Sequence, residues 1–256
     1  MRSWGAVIGA DGRSSSVRRQ AGITLEVDPP AHLVAGMLVD GIDGTDEDVD
    51  LAAREGDLLF LCFPQGEGRA RLYFCFPNGQ RRRFTGPEAS TRFLAACKLG
   101  CLRASERWSD SRPAGPCATF PASDARASTP VAEGVVLIGD AAGYENPLLG
   151  QGLAMALRDV RDVTVALAQS ENWDVATFAQ YAEARARRHH LAMLATKISV
   201  WGNDGYNVQE PAERAARWTR VEKDELLTQL DDSTWVGYDR LPEVVTERDV
   251  ELRLEG

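Results

Sequence analysis

Two glycine-aspartate motifs, each preceded by a short apolar run, constrain the fold of this chain most. The first motif, residues 9–18, has the sequence Gly-Ala-Asp-Gly-Arg-Ser-Ser-Ser-Val-Arg. The second, residues 139–152, has the sequence Gly-Asp-Ala-Ala-Gly-Tyr-Glu-Asn-Pro-Leu-Leu-Gly-Gln-Gly. Short apolar runs bounded by turn residues are typical of buried strands. We therefore predict a buried strand over residues 6–10 and another over residues 135–138.

The second motif has the chemistry of a site for a polar cofactor. A strand there ends in Gly-Asp and leads into a helix whose start is flanked by glycines. The Asp140 carboxylate can accept hydrogen bonds from a polyol, and free N–H groups around Gly150 to Gly152 can face an anion. The alternative is that Asp140 only caps the turn and that the glycines form a tight turn without a ligand.

Composition restricts the classes of partner. The length of 256 residues allows one large or two small domains. A net charge of −9 argues against nucleic acid or an anionic membrane as the main partner. No apolar run approaches the ~20 residues of a membrane span, and no signal-peptide pattern opens the chain. We expect a cytoplasmic protein with reduced, buried cysteines, no membrane span and no nucleic acid partner.

The predicted elements suggest three segments. Residues 1–28 hold the first motif and a short helix, and residues 29–125 begin at the break Asp28-Pro29-Pro30. Within this middle segment the pattern predicts a mostly antiparallel sheet with a covering helix: strand 32–39, hairpin strands 57–63 and 69–76, and helix 87–101.

Residues 126–256 hold the second motif and a helical region. The predicted helices are 151–169, 174–199 with Asp174 as N-cap, and 210–230. A polar, turn-rich tail with an alternating run over 250–254 follows. Leu153, Leu157, Val160, Val163 and Leu167 give the first of these helices one apolar face. The arginines and histidines of residues 185–190 are interpreted as a solvated basic face of the second, and adjacent histidines on a helix cannot bind one metal ion together.

The two motifs resemble those of the class A flavoprotein monooxygenases, the p-hydroxybenzoate hydroxylase-like family. That family's first motif is Gly-Ala-Asp-Gly-x-x-Ser-x-Val-Arg. Its second is Gly-Asp-Ala-Ala-His, a spacer with proline, and Gly-Gln-Gly. The resemblance implies an α/β fold: a partial FAD/NAD(P)-binding Rossmann-like domain with an inserted antiparallel substrate-domain sheet and C-terminal helices. Because both motifs would then converge on one flavin, we expect strands 6–10 and 135–138 in one sheet.

The resemblance also assigns FAD contacts within the second motif. Asp140, after Gly139, would accept a hydrogen bond from the ribityl chain, and Pro147 would lie beside the isoalloxazine ring. The backbone N–H groups of Gly150, Gln151 and Gly152 would face the N1–C2=O edge of the flavin. The chain departs from the family at Gly143, where many members have histidine, so any proton relay by that histidine is absent.

The first motif matches the segment that handles both FAD and nicotinamide in the family. Asp11, with Gly12, would support the ribose and pyrophosphate side of FAD, partly indirectly. Arg18 closes the motif. Two roles for it stay open, namely a pair with a phosphate or an ion pair with a nearby carboxylate.

A third family motif has no counterpart. Members begin with a strand, Gly-x-Gly-x-x-Gly and a helix that bind the FAD pyrophosphate, and no such spacing follows a strand in this chain. The resemblance is therefore to the part of the family after this unit. Three alternatives could explain the missing unit. They are a truncated gene model, a decayed copy, and a split protein whose separate partner chain supplies the unit.

The implied function is FAD-dependent oxidation, most directly monooxygenation. NAD(P)H would reduce the flavin, and a flavin hydroperoxide would hydroxylate or epoxidise a small organic substrate. Because the flavin carries this chemistry, we assign no catalytic side chain. The alternative is a non-catalytic remnant or one half of a split flavoprotein. A related reductase or halogenase ranks lower, since the Trp-x-Trp-x-Ile-Pro motif expected of a halogenase is absent.

Overall fold

The structure is a computed structural model that describes residues 5–44, 48–203, 211–238, 241 and 245–255. The chain forms two compact units. The first, here the motif unit, comprises Met1–Pro29, Ser123–Ser199 and Thr219–Gly256. The second, here the sheet unit, comprises Pro30–Ala122 and Val200–Trp218.

The strands are, in chain order, β1 (Val7–Gly9), β2 (Leu25–Val27), β3 (His32–Asp40), β4 (Leu51–Glu55), β5 (Leu58–Gly66), β6 (Arg69–Phe76), β7 (Arg112–Pro113), β8 (Ala118–Ala122), β9 (Ala125–Ala127), β10 (Val131–Ala132), β11 (Val135–Leu137) and β12 (Gly143–Tyr144). The α-helices are α1 (Ser16–Gln20), α2 (Ala89–Ala96), α3 (Glu106–Ser109), α4 (Gly152–Gln169), α5 (Ala179–Gly202), α6 (Pro211–Lys223), α7 (Glu225–Val236) and α8 (Glu247–Glu255). Short 3-10 helices lie at Asn78–Gln80, Gly139–Ala141, Pro147–Leu149 and Ala176–Phe178.

An antiparallel sheet dominates the sheet unit, as the sequence predicts. Its order is β4-β5-β6-β3-β7, with β8 also paired to β3. Alternate residues of β3, β5 and β6 point to one face, and an aromatic cluster fills the core there. In that cluster the Phe74 ring lies 4.9 Å from Phe93 of α2 and 5.3 Å from Phe60, between ring centroids. The hairpin and the covering helix are therefore held together by buried rings.

The two motif-bearing strands lie side by side in the motif unit. β1 pairs with β11 in parallel, with Val7 opposite Val135 and Gly9 opposite Leu137. The prediction of one sheet is confirmed. The prediction that this first strand is buried is wrong, because β1 is at the edge of the described sheet, and Val7 and Ile8 are 51% and 44% exposed.

The helical region differs from its prediction at two places. The predicted helix 210–230 is two helices in the described part of the chain, because Asp224 accepts hydrogen bonds from the N–H groups of Leu226 and Leu227 and so begins α7. The predicted turn-rich tail contains the end of α7 and the helix α8. Val250 and Leu254 are buried one helical turn apart, which explains why a helix replaces the alternating run.

The predicted apolar face of α4 is wrong for Leu153, Leu157 and Val160. These three side chains are exposed, Leu153 by 73%, whereas Met155, Asp159 and Val163 are buried. Both sets are spaced for one helix face, so periodicity alone does not decide which set faces the core. No helix in the described ranges combines the length and the apolar character that a membrane crossing requires.

Candidate functional site

The two motifs meet because β1 and β11 are parallel neighbours and both end at the same sheet edge. The first turn (residues 10–15) leads from β1 into α1, and the second turn (residues 139–151) leads from β11 into α4. Arg18 is buried and connects them. Its guanidinium donates to the backbone carbonyls of Ala141 at 2.8 Å and Arg13 at 2.9 Å. The sequence left a phosphate or a carboxylate open as the partner of Arg18. In the described structure its guanidinium donates to backbone carbonyls, which gives Arg18 a structural role that neither alternative included.

The carboxylate of Asp11 is saturated by its own turn. It accepts hydrogen bonds from the Ser15 hydroxyl, from the Ser16 hydroxyl at 2.8 Å, and from the backbone N–H groups of Ser16 at 2.7 Å and Val17 at 3.2 Å. These bonds, that of Ser15 above all, hold the pKa of Asp11 well below its usual range. Asp11 thus anchors the start of α1, which is an indirect contribution to any ligand held nearby.

Asp140 is different, because its carboxylate is half-exposed and, among the described residues, accepts its hydrogen bond from Arg13 and not from a backbone N–H of its own turn. Its partner is Arg13, whose Nε lies 3.1 Å from Oδ2. The Arg13 guanidinium also lies over the Tyr144 ring, 4.3 Å from the ring centroid. One carboxylate oxygen of Asp140 therefore remains available to a ligand hydroxyl, and the alternative role of a turn cap does not fit this geometry.

The support of the second turn comes from Asp159 on α4 and Arg185 on α5. Asp159 accepts from the Gly139 N–H at 2.9 Å and from Arg185 Nε at 2.8 Å, and both side chains are buried. Arg185 also donates to the carbonyls of Gly139 at 3.1 Å and Gly143 at 2.9 Å. Burial opposes the charge of Arg185, but the neighbouring Asp159 raises the pKa of the guanidinium overall.

The interpretation of residues 185–190 as a solvated face is therefore wrong for part of the run. Arg185, Arg188 and His189 are buried. Charged side chains are rarely buried unless they are paired, and the pairing carboxylate is distant in sequence. The one available signal is Asp159 itself, which falls between Met155 and Val163 on one helix stripe.

The start of α4 offers unpaired donors. The first N–H groups of a helix have no partner within the helix, and Gln151 at the N-cap position does not cap them. Its side-chain amide instead donates to the carbonyls of Leu149 at 3.1 Å and Thr234 at 2.8 Å. Pro147 begins the preceding 3-10 helix, which Asn146 caps through the Leu148 N–H. The positive end of the α4 dipole thus faces the predicted ligand side.

Glycines separate the open side of this site from its packed side. A Cβ added at Gly12, Gly150 or Gly152 would meet no atom within 4 Å. A Cβ at Gly143, where φ is +130°, would lie 2.5 Å from the Ala125 carbonyl oxygen. The packing against β9 therefore explains why histidine, common at this position in the resembled family, does not fit here. Open space beside Gly12, Gly150 and Gly152 suits the close approach of a ligand.

Comparison with known families agrees with this geometry. Residues 6–196 match the model of the FAD binding domain family. The match covers more than half of the chain, and the protein belongs to this family. The residues described above fit the group that gives the family its name: an exposed carboxylate for a polyol, unpaired helix N–H groups for an anionic edge, and glycines that leave room. No curated protein matches the chain significantly.

Solved structures share the fold across most of this chain. A flavin-dependent halogenase, CmlS, has a TM-score of 0.67 at 14% identity and covers 97% of this chain and 48% of its own. The Diels-Alderase PyrE3 of pyrroindomycin biosynthesis has a TM-score of 0.67 at 22% identity, and the match covers 93% of this chain and 51% of PyrE3. CabE, an aromatic hydroxylase from angucycline biosynthesis, has a TM-score of 0.63 at 20% identity, and the match covers 91% of this chain and 47% of CabE.

These similarities define the fold and not the reaction. The chain spans about half the length of each of the three proteins, and these are a halogenase, a Diels-Alderase and a hydroxylase, which catalyse three different reactions. A shared fold can host unrelated chemistry, so function has to be argued from the site. The fold class predicted from the sequence, an α/β flavoprotein fold with an antiparallel sheet and C-terminal helices, is confirmed.

Proposed function

We propose that this chain is the FAD-holding part of a flavin-dependent monooxygenase that uses NAD(P)H as reductant and oxidises a small organic substrate. The main observation behind this proposal is that two features lie at the same sheet edge. One is the exposed carboxylate of Asp140, and the other is the set of N–H groups at the start of α4 that the helix itself leaves without acceptors. Membership of the FAD binding domain family supports the cofactor, and the resemblance of both motifs to the class A flavoprotein monooxygenases motivates the proposed reaction class.

In this proposal the flavin supplies the redox and oxygen chemistry when bound. The chain's own residues bind and orient it. Asp140 accepts from a ribityl hydroxyl, with Arg13 fixing the carboxylate, and Pro147 lies beside the ring system. The N–H groups of Gln151 and Gly152 would stabilise negative charge at the N1–C2=O edge. The N–H of Gly150, predicted from the motif to share this role, donates to the Pro147 carbonyl at 3.1 Å instead. Asp11, Gly12 and Arg18 keep the first turn docked against the second.

Substitution of Asp140 tests the proposal. A hydrogen bond to a charged group contributes about 1.5–3 kcal/mol, so Asp140→Ala should raise the FAD dissociation constant roughly ten- to a hundredfold. Asp140→Asn keeps the shape and one acceptor and should lose less. Folding stability should change little, because exposed ion pairs such as Arg13–Asp140 contribute only about 0–1 kcal/mol. Calorimetric FAD titration and thermal unfolding of each variant separate the two effects.

The control is Asp232→Ala, which removes an exposed carboxylate of α7 and should leave FAD affinity unchanged. An Asp140→Ala protein with wild-type FAD affinity and lowered stability would identify Asp140 as a turn residue only. That result would remove the main argument for a flavin at this turn.

We also propose a partner, a polypeptide segment with Gly-x-Gly-x-x-Gly that pairs with the free edge of β1. Within the described residues the second edge of β1 pairs with no strand, and its apolar side chains are exposed. Unpaired edges are templates for strand addition. Supplied as a separate chain, such a segment should tighten FAD binding. A Val7→Lys variant should lose this gain, whereas an unaffected variant would contradict the proposal.

A further inference from the structure

A carboxyl group is buried directly behind the second turn. Glu145 follows β12 and immediately precedes Asn146, and it is only 6% exposed. Its Oε1 lies 3.8 Å from Nε2 of His189, which is itself buried. None of the flavin contacts proposed above uses either side chain, so their burial needs a separate explanation.

The polar atoms around Glu145 are incompletely bonded. Within the described residues, Glu145 Oε1 and the Tyr238 hydroxyl are buried and accept or donate no hydrogen bond. Buried polar groups without partners are rare and costly. The cost is far larger for a buried charge than for a neutral group, which favours a neutral carboxylic acid at Glu145.

The electrostatic surroundings agree with this assignment. Burial raises the pKa of Glu145 to about 7, although Arg185 opposes the rise. Burial and the same arginine lower the pKa of His189 to about 4. A proton shared between the two side chains therefore belongs to Glu145. The titratable and charged groups that act on Glu145 or on its two neighbours are Asp124, Arg126, Asp140, Arg185, His189, Asp231 and Tyr238.

The backbone connects this carboxyl group to the predicted flavin side. The Asn146 N–H is held by the Asp124 carboxylate at 2.9 Å, and the Asn146 side chain caps the 3-10 helix Pro147–Leu149. A carboxylate formed at Glu145 would be a buried charge with Oε1 unbonded, which favours movement of the side chain toward water or toward the unbonded Tyr238 hydroxyl. Asn146 is the next residue along the chain and is coupled to this movement through the backbone. A change at Glu145 therefore alters the segment that ends at Gly150.

We propose that Glu145 is a positioning residue whose neutral form stabilises the conformation of residues 146–150, and whose deprotonation, with the proton passing to solvent, destabilises it. This role rests on the proposed flavin site, because residues 147–152 form its ring-facing side. It makes FAD affinity fall as the pH rises through neutrality.

The direction in which folding stability changes with pH follows from the difference in the Glu145 pKa between the folded and unfolded chain. The pKa of Glu145 is higher in the folded than in the unfolded chain, so its stabilising contribution is complete at low pH and is lost as the pH rises through about 7. Glu145→Gln replaces the acid with a neutral group of the same shape. From pH 5 to pH 8 the wild-type melting temperature should fall by roughly 5–10 °C more than that of Glu145→Gln. The FAD dissociation constant should rise with pH in the wild type more than in the variant.

Glu183→Gln, which changes an exposed glutamate of α5, is the matched control and should follow the wild type. Parallel pH profiles of wild type and Glu145→Gln would overturn the proposal. So would the opposite slope, which would indicate an ionised Glu145 paired with a charged His189. The unfolding readout needs no flavin. A pH-dependent difference in stability without FAD binding in either protein would support the role of Glu145 and refute the proposed function.

Should Glu145→Gln fail to fold, the wild type alone still decides the matter. Infrared spectra between pH 5 and pH 8 report the carbonyl stretch of a protonated carboxylic acid. Loss of one such band with a midpoint near pH 7 supports the proposal, and its absence throughout the range overturns it.

Discussion

The two turns that meet at the sheet edge are stabilised in opposite ways. The first turn satisfies its aspartate internally, through the side chains and backbone of the residues that follow Asp11. The second turn is supported from behind by the buried pair Asp159–Arg185, and its own Asp140 stays half-exposed. An aspartate that binds its own turn is unavailable to a ligand. An aspartate whose turn is supported by other residues is available to bind a ligand.

This difference separates residues that act on structure from residues available for binding, although both turns contain a glycine next to an aspartate. Buried ion pairs contribute little net stability compared with apolar replacements, but loss of one partner is strongly destabilising. The second turn is therefore the more vulnerable of the two, and its vulnerability lies at Asp159 and Arg185.

The largest expected effect is that of Arg185→Ala. Removing the guanidinium leaves the buried Asp159 with Arg188, 3.8 Å away, as its ion-pair partner, and it removes one donor from each of the carbonyls of Gly139 and Gly143. The free energy of unfolding should fall by about 3–5 kcal/mol, measured by urea denaturation. Arg69→Ala removes half of an exposed pair with Asp40 in the sheet unit and should cost at most about 1 kcal/mol. Equal losses in the two variants would show that the second turn does not depend on its buried support.

An intermediate effect is expected at the packed side of the second turn. Gly143→Ala places a methyl group 2.5 Å from the Ala125 carbonyl, in a backbone conformation that costs roughly 1–3 kcal/mol by strain alone. Gly150→Ala meets open space at φ +67° and should cost about 1 kcal/mol. Thermal unfolding should therefore give Gly143→Ala a clearly lower melting temperature than Gly150→Ala. The reverse order would mean that Gly150, and not Gly143, is the packed glycine.

The antiparallel hairpin could be predicted, because apolar runs and turn residues are local signals. The shared sheet of β1 and β11 could be predicted only from the family resemblance, which implies that both motifs converge on one flavin. The exposure of Val7 and of Leu153 could not. Burial depends on which neighbours cover a face, and α4 has apolar residues on two faces. The Asp159–Arg185 pair was missed for a similar reason, since 26 positions separate two charged residues whose types are usually solvated.

The site residues divide along the same line. The resemblance predicted that Asp11 and Asp140 lie on the same side of the molecule, and the turns that carry them meet through the Arg13–Asp140 and Arg18–Ala141 contacts. It did not predict that Arg18 binds backbone carbonyls or that Asp11 is saturated by serines. Those partners depend on side-chain geometry within the turn. Direct flavin contacts of Gly139, Pro147, Gln151 and Gly152 stay predictions, whereas the Gly150 N–H already donates to the Pro147 carbonyl.

The smallest effect concerns the first turn and acid pH. Hydrogen bonds to the Asp11 carboxylate lower its folded pKa, so its stabilising contribution is present above the unfolded pKa of about 3.9 and is lost as the pH falls below that value. Asp11→Ala should lower the melting temperature at pH 7 by a few degrees, less than Arg185→Ala does. As the pH falls from about 4 toward the lowered folded pKa, the wild type should progressively lose this advantage and approach the variant. A constant difference in melting temperature between the wild type and Asp11→Ala down to the lowest pH at which both fold would contradict this role of Asp11.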